Sequence, residues 1–308
     1  MAMSGNIGAI ASKRISKQLR DDYRHCRKIM RQASRNYTFA SLFLPRSVRR
    51  HVEALYALMR VGDDRVDVSH AGFDTPLKAI DNWEHEYYRA FETGDSAHPV
   101  VRAYVDTAIR FAIPVDTMAP YFQAMRDDLT VKRFETFDDL VQYMHGSAVP
   151  VGRGMTYILG VTEPHSFEEA LPMADSLAIA MQLTNFWRDI REDWDRGRIY
   201  IPCEDLERFG YSEKDIAEHR VNGAFAELLE FEFDRTERYY RQAREGVSML
   251  MRGRLGVLGS LRIYHAVLDD IRRRRYDVYS GRAGAGLLKR AAIIARTWWS
   301  ESDSHKGF

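Results

Sequence analysis

The chain has 308 residues, with 45 Lys and Arg against 44 Asp and Glu, a formal charge of +1. Residues 1–60 carry 13 basic and 3 acidic side chains, residues 271–308 carry 9 and 3, and the intervening 61–270 carry 23 and 38; so acidic a middle argues against a nucleic-acid groove and towards cations or cation-bridged ligands. With 45% hydrophobic and 29% charged residues, and only 20 Gly and 9 Pro, the composition is that of a globular chain rather than a disordered, fibrous or loop-rich β-protein.

Apolar residues recur at three- and four-residue spacing almost throughout, which predicts helices over roughly 14–32, 47–67, 76–93, 98–112, 116–128, 136–160, 166–193, 222–249, 255–278 and 285–299. Stop signals separate them, at Leu44-Pro45, Gly94-Asp95, Ile113-Pro114, Glu163-Pro164, Ile201-Pro202 and Gly281. The segment Arg198-Ile-Tyr-Ile-Pro202 is the one short stretch that reads as extended. No repeat or linker interrupts the pattern, so the expected fold is all-α: a single-domain helical bundle over 1–308 around a central apolar cavity, with 1–30 and 300–308 as mobile ends. The start does not read as a signal peptide. No run approaches the roughly 20 apolar residues needed to span a bilayer. Cys26 and Cys203 stand far apart, without the spacing of a thiolate metal site, which fits a reducing cytoplasm.

Two predicted helices carry paired carboxylates. In the 47–67 helix the sequence runs Tyr56-Ala-Leu-Met-Arg60-Val-Gly-Asp63-Asp64-Arg-Val-Asp67. Asp63 and Asp67, four apart, share a face that continues the apolar stripe Val52, Leu55, Met59. In the 166–193 helix, Gln182-Leu-Thr-Asn185-Phe-Trp-Arg188-Asp189-Ile-Arg-Glu192-Asp193 puts Asp189 and Asp193 at the end of a stripe containing Ala174, Ala178 and Met181. Asn185 and Gln182 extend that stripe with neutral oxygens. Like charges four apart repel, and a divalent cation reverses the sign of that interaction. Mg²⁺ takes hard oxygen ligands and bridges carboxylates to phosphates. Arg60 and Arg188 are interleaved with the acids, and guanidinium groups bind phosphate oxygens bidentately. The plain alternative is a solvated acidic face for each pair and an intrahelical ion pair for each arginine.

Other features read as structural. Glu84-His85-Glu86 are adjacent and do not share a helix face. Gly281-Arg-Ala-Gly284-Ala-Gly286 lacks the preceding strand of a phosphate loop and reads as the connection between two helices. Arg272 to Arg275 reads as a solvated face that could also meet anionic headgroups. The last helix, from Leu287 to Trp299, is amphipathic and basic, suited either to peripheral membrane contact or to packing on its own domain.

The two acidic segments resemble the aspartate-rich motifs of the squalene/phytoene synthase family, and the match spans about residues 30–280. The sequel Arg196-Gly-Arg198-Ile-Tyr200-Ile-Pro202 is similar to the family's. So are Tyr37-Thr-Phe39-Ala-Ser-Leu-Phe43-Leu-Pro45, Met125-Arg-Asp-Asp128-Leu-Thr130-Val-Lys-Arg133-Phe134 and Tyr143-Met-His-Gly146-Ser147. Ser147-Ala148-Val149-Pro150 and Trp187 depart from the usual wording in ways that could reshape a prenyl pocket, and Pro150 is expected to kink its helix.

The resemblance implies an isoprenoid-synthase-type bundle and a transferase that joins two prenyl diphosphates head to head with Mg²⁺ (or Mn²⁺). The wording is closer to bacterial phytoene synthases, which implies condensation of two geranylgeranyl diphosphates through a cyclopropyl diphosphate. Two readings stand beside it: a squalene, dehydrosqualene or presqualene diphosphate synthase using farnesyl diphosphate, with NADPH only if squalene is the product, and a non-catalytic helical lipid-binding protein. It also implies roles. Asp63, Asp67, Asp189 and Asp193 would hold metal with Asn185 in support, and Asp64 and Glu192 behind them. Arg60 and Arg188 would hold phosphate; Tyr56, Tyr264 and Gln182 would add hydrogen bonds. Tyr37, Phe39, Phe43, Tyr143, Phe186 and Trp187 are wall candidates, with Tyr37 and Tyr143 at motif positions and plain core packing expected of Phe43 and Phe186. No general base stands out for the last proton loss. Prenyl chain length, oligomeric state and pathway are not legible.

Overall fold

In the computed structural model the described residues are 16–304 other than 69 and 285. α1 (Lys17–Ala33) starts at Ser16, whose hydroxyl accepts from the Leu19 N–H. It buries Tyr23, Cys26 and Met30; of the expected mobile ends, 1–15 and 305–308 lie outside the described residues. A short α2 (Arg35–Ser41) follows at once, capped by Ser34, and it falls outside the expected helices. α3 (Arg46–Asp67) is the first acidic helix. α4 (Pro76–Thr93) and α5 (Pro99–Phe111) each begin with Pro at the first helical position, where no donor is lost. α4 ends at Gly94, whose φ of 74° closes it in the left-handed region.

The expected 116–128 helix opens with a 3-10 turn, Val115–Met118, before α6 (Ala119–Asp127). The expected 136–160 helix is two helices, α7 (Phe137–Ser147) and α8 (Val149–Leu159), separated at Ala148. Pro150 supplies no N–H to the preceding turn, and the chain restarts around it. The expected 166–193 helix also divides, into α9 (Phe167–Arg188) and α10 (Ile190–Asp195), because Asp189 adopts φ −105°, ψ 18°. α11 (Cys203–Arg208) and α12 (Glu213–Ala217) are short turns of helix that the periodicity did not reveal. α13 (Gly223–Val247), α14 (Arg254–Arg273) and α15 (Leu287–Ser304) complete the chain. The described residues form no strand. Ile199 N–H reaches Lys132 O at 3.0 Å, and Val161 bridges Leu250.

Two apolar cores result. One gathers α1, α3, α4, α5 and α6 around Leu55, Leu58, Trp83, Tyr87, Tyr104 and Phe122. The other gathers α9, α13 and α14 around Leu183, Trp187, Phe225, Phe233 and Leu268. Each large side chain removed from water stabilises by about 1.5–3 kcal/mol. They meet along α8. A Cβ at Gly154 would lie 3.0 Å from Leu55 of α3, and one at Gly152 would lie 2.9 Å from the Ala174 carbonyl of α9. These two close approaches bring the acidic helices α3 and α9 to face each other across α8.

Candidate active site

Between α3 and α9 lies a polar basin of about 830 Å³. An apolar arm of about 200 Å³ leads from it into the bundle. The α3 and α9 stripes read from the sequence line this arm, with Val52 and Leu55 on one side and Ala174, Ala178 and Met181 on the other. Leu44, Leu159 and Leu250 also line it, and Leu44 and Leu159 pack on Gly253.

Twelve of the expected site residues line the basin, Tyr37, Tyr56, Arg60, Asp63, Asp67, Tyr143, Gln182, Asn185, Arg188, Asp189, Asp193 and Tyr264, while Asp64 and Glu192 do not. From α6, Tyr121 reaches under α3, and its hydroxyl donates to Met59 O at 2.7 Å and to Asp63 Oδ1 at 3.2 Å. This is allowed only by Gly62, since a Cβ there would sit 2.0 Å from the Tyr121 oxygen. Burial pushes Asp63 up to about 7, with Asp128 and Asp67 adding to the rise and Arg60 and Tyr121 opposing it. Arg60 pairs with Asp64 at 2.6 Å, the intrahelical alternative, while still facing the basin. Asp67 is exposed and meets Arg198 at 3.2 Å.

On the opposite side, burial alone would raise Asp189. Arg188 and Arg282 outweigh it and hold the carboxyl below its ordinary range. Arg188 Nε donates to Asp189 Oδ1 at 2.7 Å. Arg282, from the loop after α14, donates twice, at 3.0 and 2.7 Å. Burial pushes Asp193 up to about 7, helped by Asp189 and opposed by Arg196 and Arg198. Despite the break at Asp189 the ladder is kept, with Asp189 N–H on Asn185 O and Asp193 N–H on Asp189 O, both at 2.9 Å. The two carboxylates therefore stay one turn apart.

Several site residues were not foreseen. Asp128 accepts the Tyr143 hydroxyl at 2.8 Å, and burial raises its carboxyl. Arg198 reaches both Asp67 and the Asp128 carbonyl. Tyr200 stacks on Phe186 with centroids 3.8 Å apart and lies near Tyr143, forming an aromatic wall. Of these, Asp128, Arg198 and Tyr200 lay inside quoted motifs, while Arg282 lay in the Gly281–Gly286 segment, which is a loop as expected and also supplies the site.

Other wall candidates lie elsewhere. Trp187 is fully buried and donates to Thr236 Oγ1 at 2.9 Å on α13. Phe39 and Phe43 face one another at 5.3 Å and line neither cavity. Phe186 belongs to the second core, as expected, and also lines the basin. The arginine run is tied down by acids: Arg272 to Glu230 and Glu237, Arg273 and Arg274 to Asp270. Glu84 pairs with Arg126 and Glu86 with Arg89.

Among the described residues no three His, Cys, Asp or Glu side chains converge as a self-sufficient metal cage. The donors are instead hard oxygens in facing pairs, two of them raised to about 7 by burial. That set fits a cation that takes one or two carboxylates and completes its shell with water and phosphate, as Mg²⁺ does.

The sequence profile described as "Squalene/phytoene synthase" matches residues 30–291. The chain is 34% identical over 288 residues to the phytoene synthase of Arthrospira platensis, covering 89% of this chain and 91% of that one. It is 32% identical over 285 residues to the 15-cis-phytoene synthase of Synechocystis, covering 90% and 84%. Among solved structures, a dehydrosqualene synthase in complex with ligand superposes with a TM-score of 0.85 at 23% identity, covering 93% and 98%. Squalene synthase HpnC from Alicyclobacillus acidocaldarius superposes with a TM-score of 0.75 at 31% identity, covering 85% and 97%.

Proposed function

The chain belongs to the squalene/phytoene synthase family, and from that premise we infer that it is a phytoene synthase, joining two geranylgeranyl diphosphates head to head. The observation that carries the reading is one continuous space. A charged basin suited to diphosphates runs into an apolar arm suited to prenyl tails, and both acidic segments face the basin.

Asp63 and Asp67 on one side, and Asp189 and Asp193 with Asn185 on the other, would hold Mg²⁺ or Mn²⁺. When bound, the cation supplies Lewis-acid assistance to departure of diphosphate. Arg60, Arg188, Arg198 and Arg282 hold phosphate oxygens, and Tyr56, Tyr264 and Gln182 add hydrogen bonds. The first donor ionises to an allylic cation and diphosphate, the double bond of the second attacks that cation, and loss of a C–H proton to the released diphosphate closes the ring to give the cyclopropyl diphosphate. A second ionisation, ring opening and proton loss give phytoene. Tyr143, Tyr200 and Phe186 offer ring faces to the cations, an attraction worth up to about 2 kcal/mol when desolvated. The apolar lining keeps water away. Released diphosphate accepts the last proton, which accounts for a wall without a dedicated base.

One further reading accompanies this one. Peripheral contact with a lipid surface is supported by α15, which presents Leu288, Trp298 and Trp299 outward beside Lys289, Arg290 and Arg296. No helix among the described residues is long and apolar enough to cross a membrane. Labelled geranylgeranyl or farnesyl diphosphate, supplied with Mg²⁺ and with or without NADPH, tests the function. A C40 hydrocarbon formed without NADPH is expected. Turnover of farnesyl diphosphate alone would replace the substrate, NADPH-dependent squalene would replace the reaction, and no turnover of either would leave a lipid-binding protein.

A further inference from the structure

The basin and the arm share five lining residues, Tyr37, Tyr56, Ser147, Gln182 and Asn185. A prenyl diphosphate laid across this neck has its head in the basin and its tail in the arm. Its C1–O bond therefore lies at the level of these five side chains. Four of them are already engaged. The Asn185 amide donates to Gln182 at 3.3 Å, and the Tyr37 and Tyr56 rings meet at 5.2 Å.

Ser147 is different. Its Oγ is buried and has no hydrogen-bond partner. Hydroxyls elsewhere in these helices bond back to the carbonyl four residues earlier, as Thr156, Thr184, Thr236 and Ser260 do at 2.8–2.9 Å. Ser147 makes no such bond to Tyr143 O. It is the last residue of α7, at the break that Pro150 imposes. Val151 N–H turns to Ala148 O at 3.2 Å instead of taking the Ser147 carbonyl. A buried hydroxyl left unmet costs free energy, and rotation about its Cα–Cβ bond towards an acceptor bound at the neck returns that cost.

We propose that Ser147 is a catalytic residue whose hydroxyl donates a hydrogen bond to the oxygen leaving C1 as the prenyl diphosphate ionises. In that step the C1–O bond breaks heterolytically, both electrons pass to the diphosphate oxygen, and the allylic cation remains. The serine proton stays on Oγ while the hydrogen bond strengthens with the charge growing on its acceptor. The contact is thus worth more in the transition state than in the bound substrate. The inference rests on the prenyl diphosphate reading.

The test is Ser147→Ala, which deletes one oxygen and no packing group, assayed by rapid mixing with Mg²⁺ and with geranylgeranyl diphosphate in saturating excess over enzyme, so that each site holds the two molecules it joins. The expected outcome is a rate constant lowered about 10- to 100-fold with substrate affinity changed less than about three-fold, and an unchanged or raised melting temperature. A rate within about three-fold of wild type, or a loss carried by affinity with the rate kept, overturns the proposal. If wild type itself turns over no prenyl diphosphate, the substrate reading fails; if wild type turns over and Ser147→Ala matches it, only the role of Ser147 fails.

Discussion

Arg282, from the loop after α14, grips the carboxylate of Asp189 where α9 gives way to α10, with Nε 3.0 Å from Oδ1 and Nη2 2.7 Å from Oδ2. Arg188 holds the same carboxylate from its other flank. Two guanidiniums share this one carboxylate, with Glu192 4.0 Å from Arg282, and each fork keeps further N–H donors that an incoming diphosphate can take.

Arg282→Ala is therefore expected to raise KM for the prenyl diphosphate about 10-fold or more, since a charge-assisted contact is worth about 1.5–3 kcal/mol. Arg282→Lys keeps the charge and loses the planar fork, so it recovers only part of the affinity. Steady-state kinetics decide the point. An unchanged KM in Arg282→Ala would reduce Arg282 to a tie between the loop and α9.

Asp63 and Asp193 give a prediction in which activity and stability move in opposite directions. Each carboxyl has a folded value of about 7 against an ordinary 3.8. The folded state therefore favours the protonated form. The stability each contributes is greatest below about pH 4, is lost as pH rises towards about 7, and is level beyond that. Asn is isosteric and uncharged. Without metal at pH 8, Asp63→Asn and Asp193→Asn should each be more stable than wild type by on the order of 1 kcal/mol, with the advantage vanishing at pH 4. Turnover should fall about 100-fold or more if the lost carboxylate is a metal ligand. Melting curves across pH, with and without Mg²⁺ and diphosphate, would check both halves; only wild type should gain strongly from the additions.

These acids were legible because they obey a local rule. Asp63 with Asp67, and Asp189 with Asp193, stand one helical turn apart at the ends of apolar stripes, and spacing alone puts each pair on the inner face. The same rule places Trp187 on the far side of α9, two residues from both Asn185 and Asp189, and the structure buries it against Thr236. Arg282 and Tyr200 obey no such rule, because their loops reach the basin through tertiary packing. The break at Asp189 keeps the helical hydrogen bonds around it, so hydrophobic periodicity carries no trace of it. α2, α11 and α12 were missed because five to seven residues make too little of a helical period.

Gly62 and Tyr121 test how the first acidic segment is supported. Gly62→Ala would bring a methyl group within 2.0 Å of the Tyr121 oxygen. Something must move, and the fixture under Asp63 is what stands there. A stability loss of about 1–3 kcal/mol is expected, with a fall in kcat. Tyr121→Phe keeps the ring and removes the hydrogen bonds to Met59 and Asp63, so it should lower kcat with a smaller stability cost of about 1 kcal/mol. Equal kcat in Tyr121→Phe and wild type would show that Asp63 needs no support from below.

α15 separates its two readings by face. Ile294 packs where a Cβ at Gly259 would sit, and Thr297 accepts from Arg262 at 2.9 Å, so one side is domain core. Trp298 and Trp299 remain 59% and 67% exposed and Leu288 88%. Tryptophan favours the boundary between headgroups and acyl chains, and the basic residues of the helix favour anionic lipid. The double change Trp298→Glu and Trp299→Glu should weaken binding to phosphatidylglycerol-containing vesicles about 10-fold or more. The inner contacts are untouched, so the melting temperature should hold. Cosedimentation with anionic and neutral vesicles at two salt concentrations reads the effect, and binding that survives the double change would assign α15 wholly to the core and send the search for a lipid-facing surface elsewhere on the bundle.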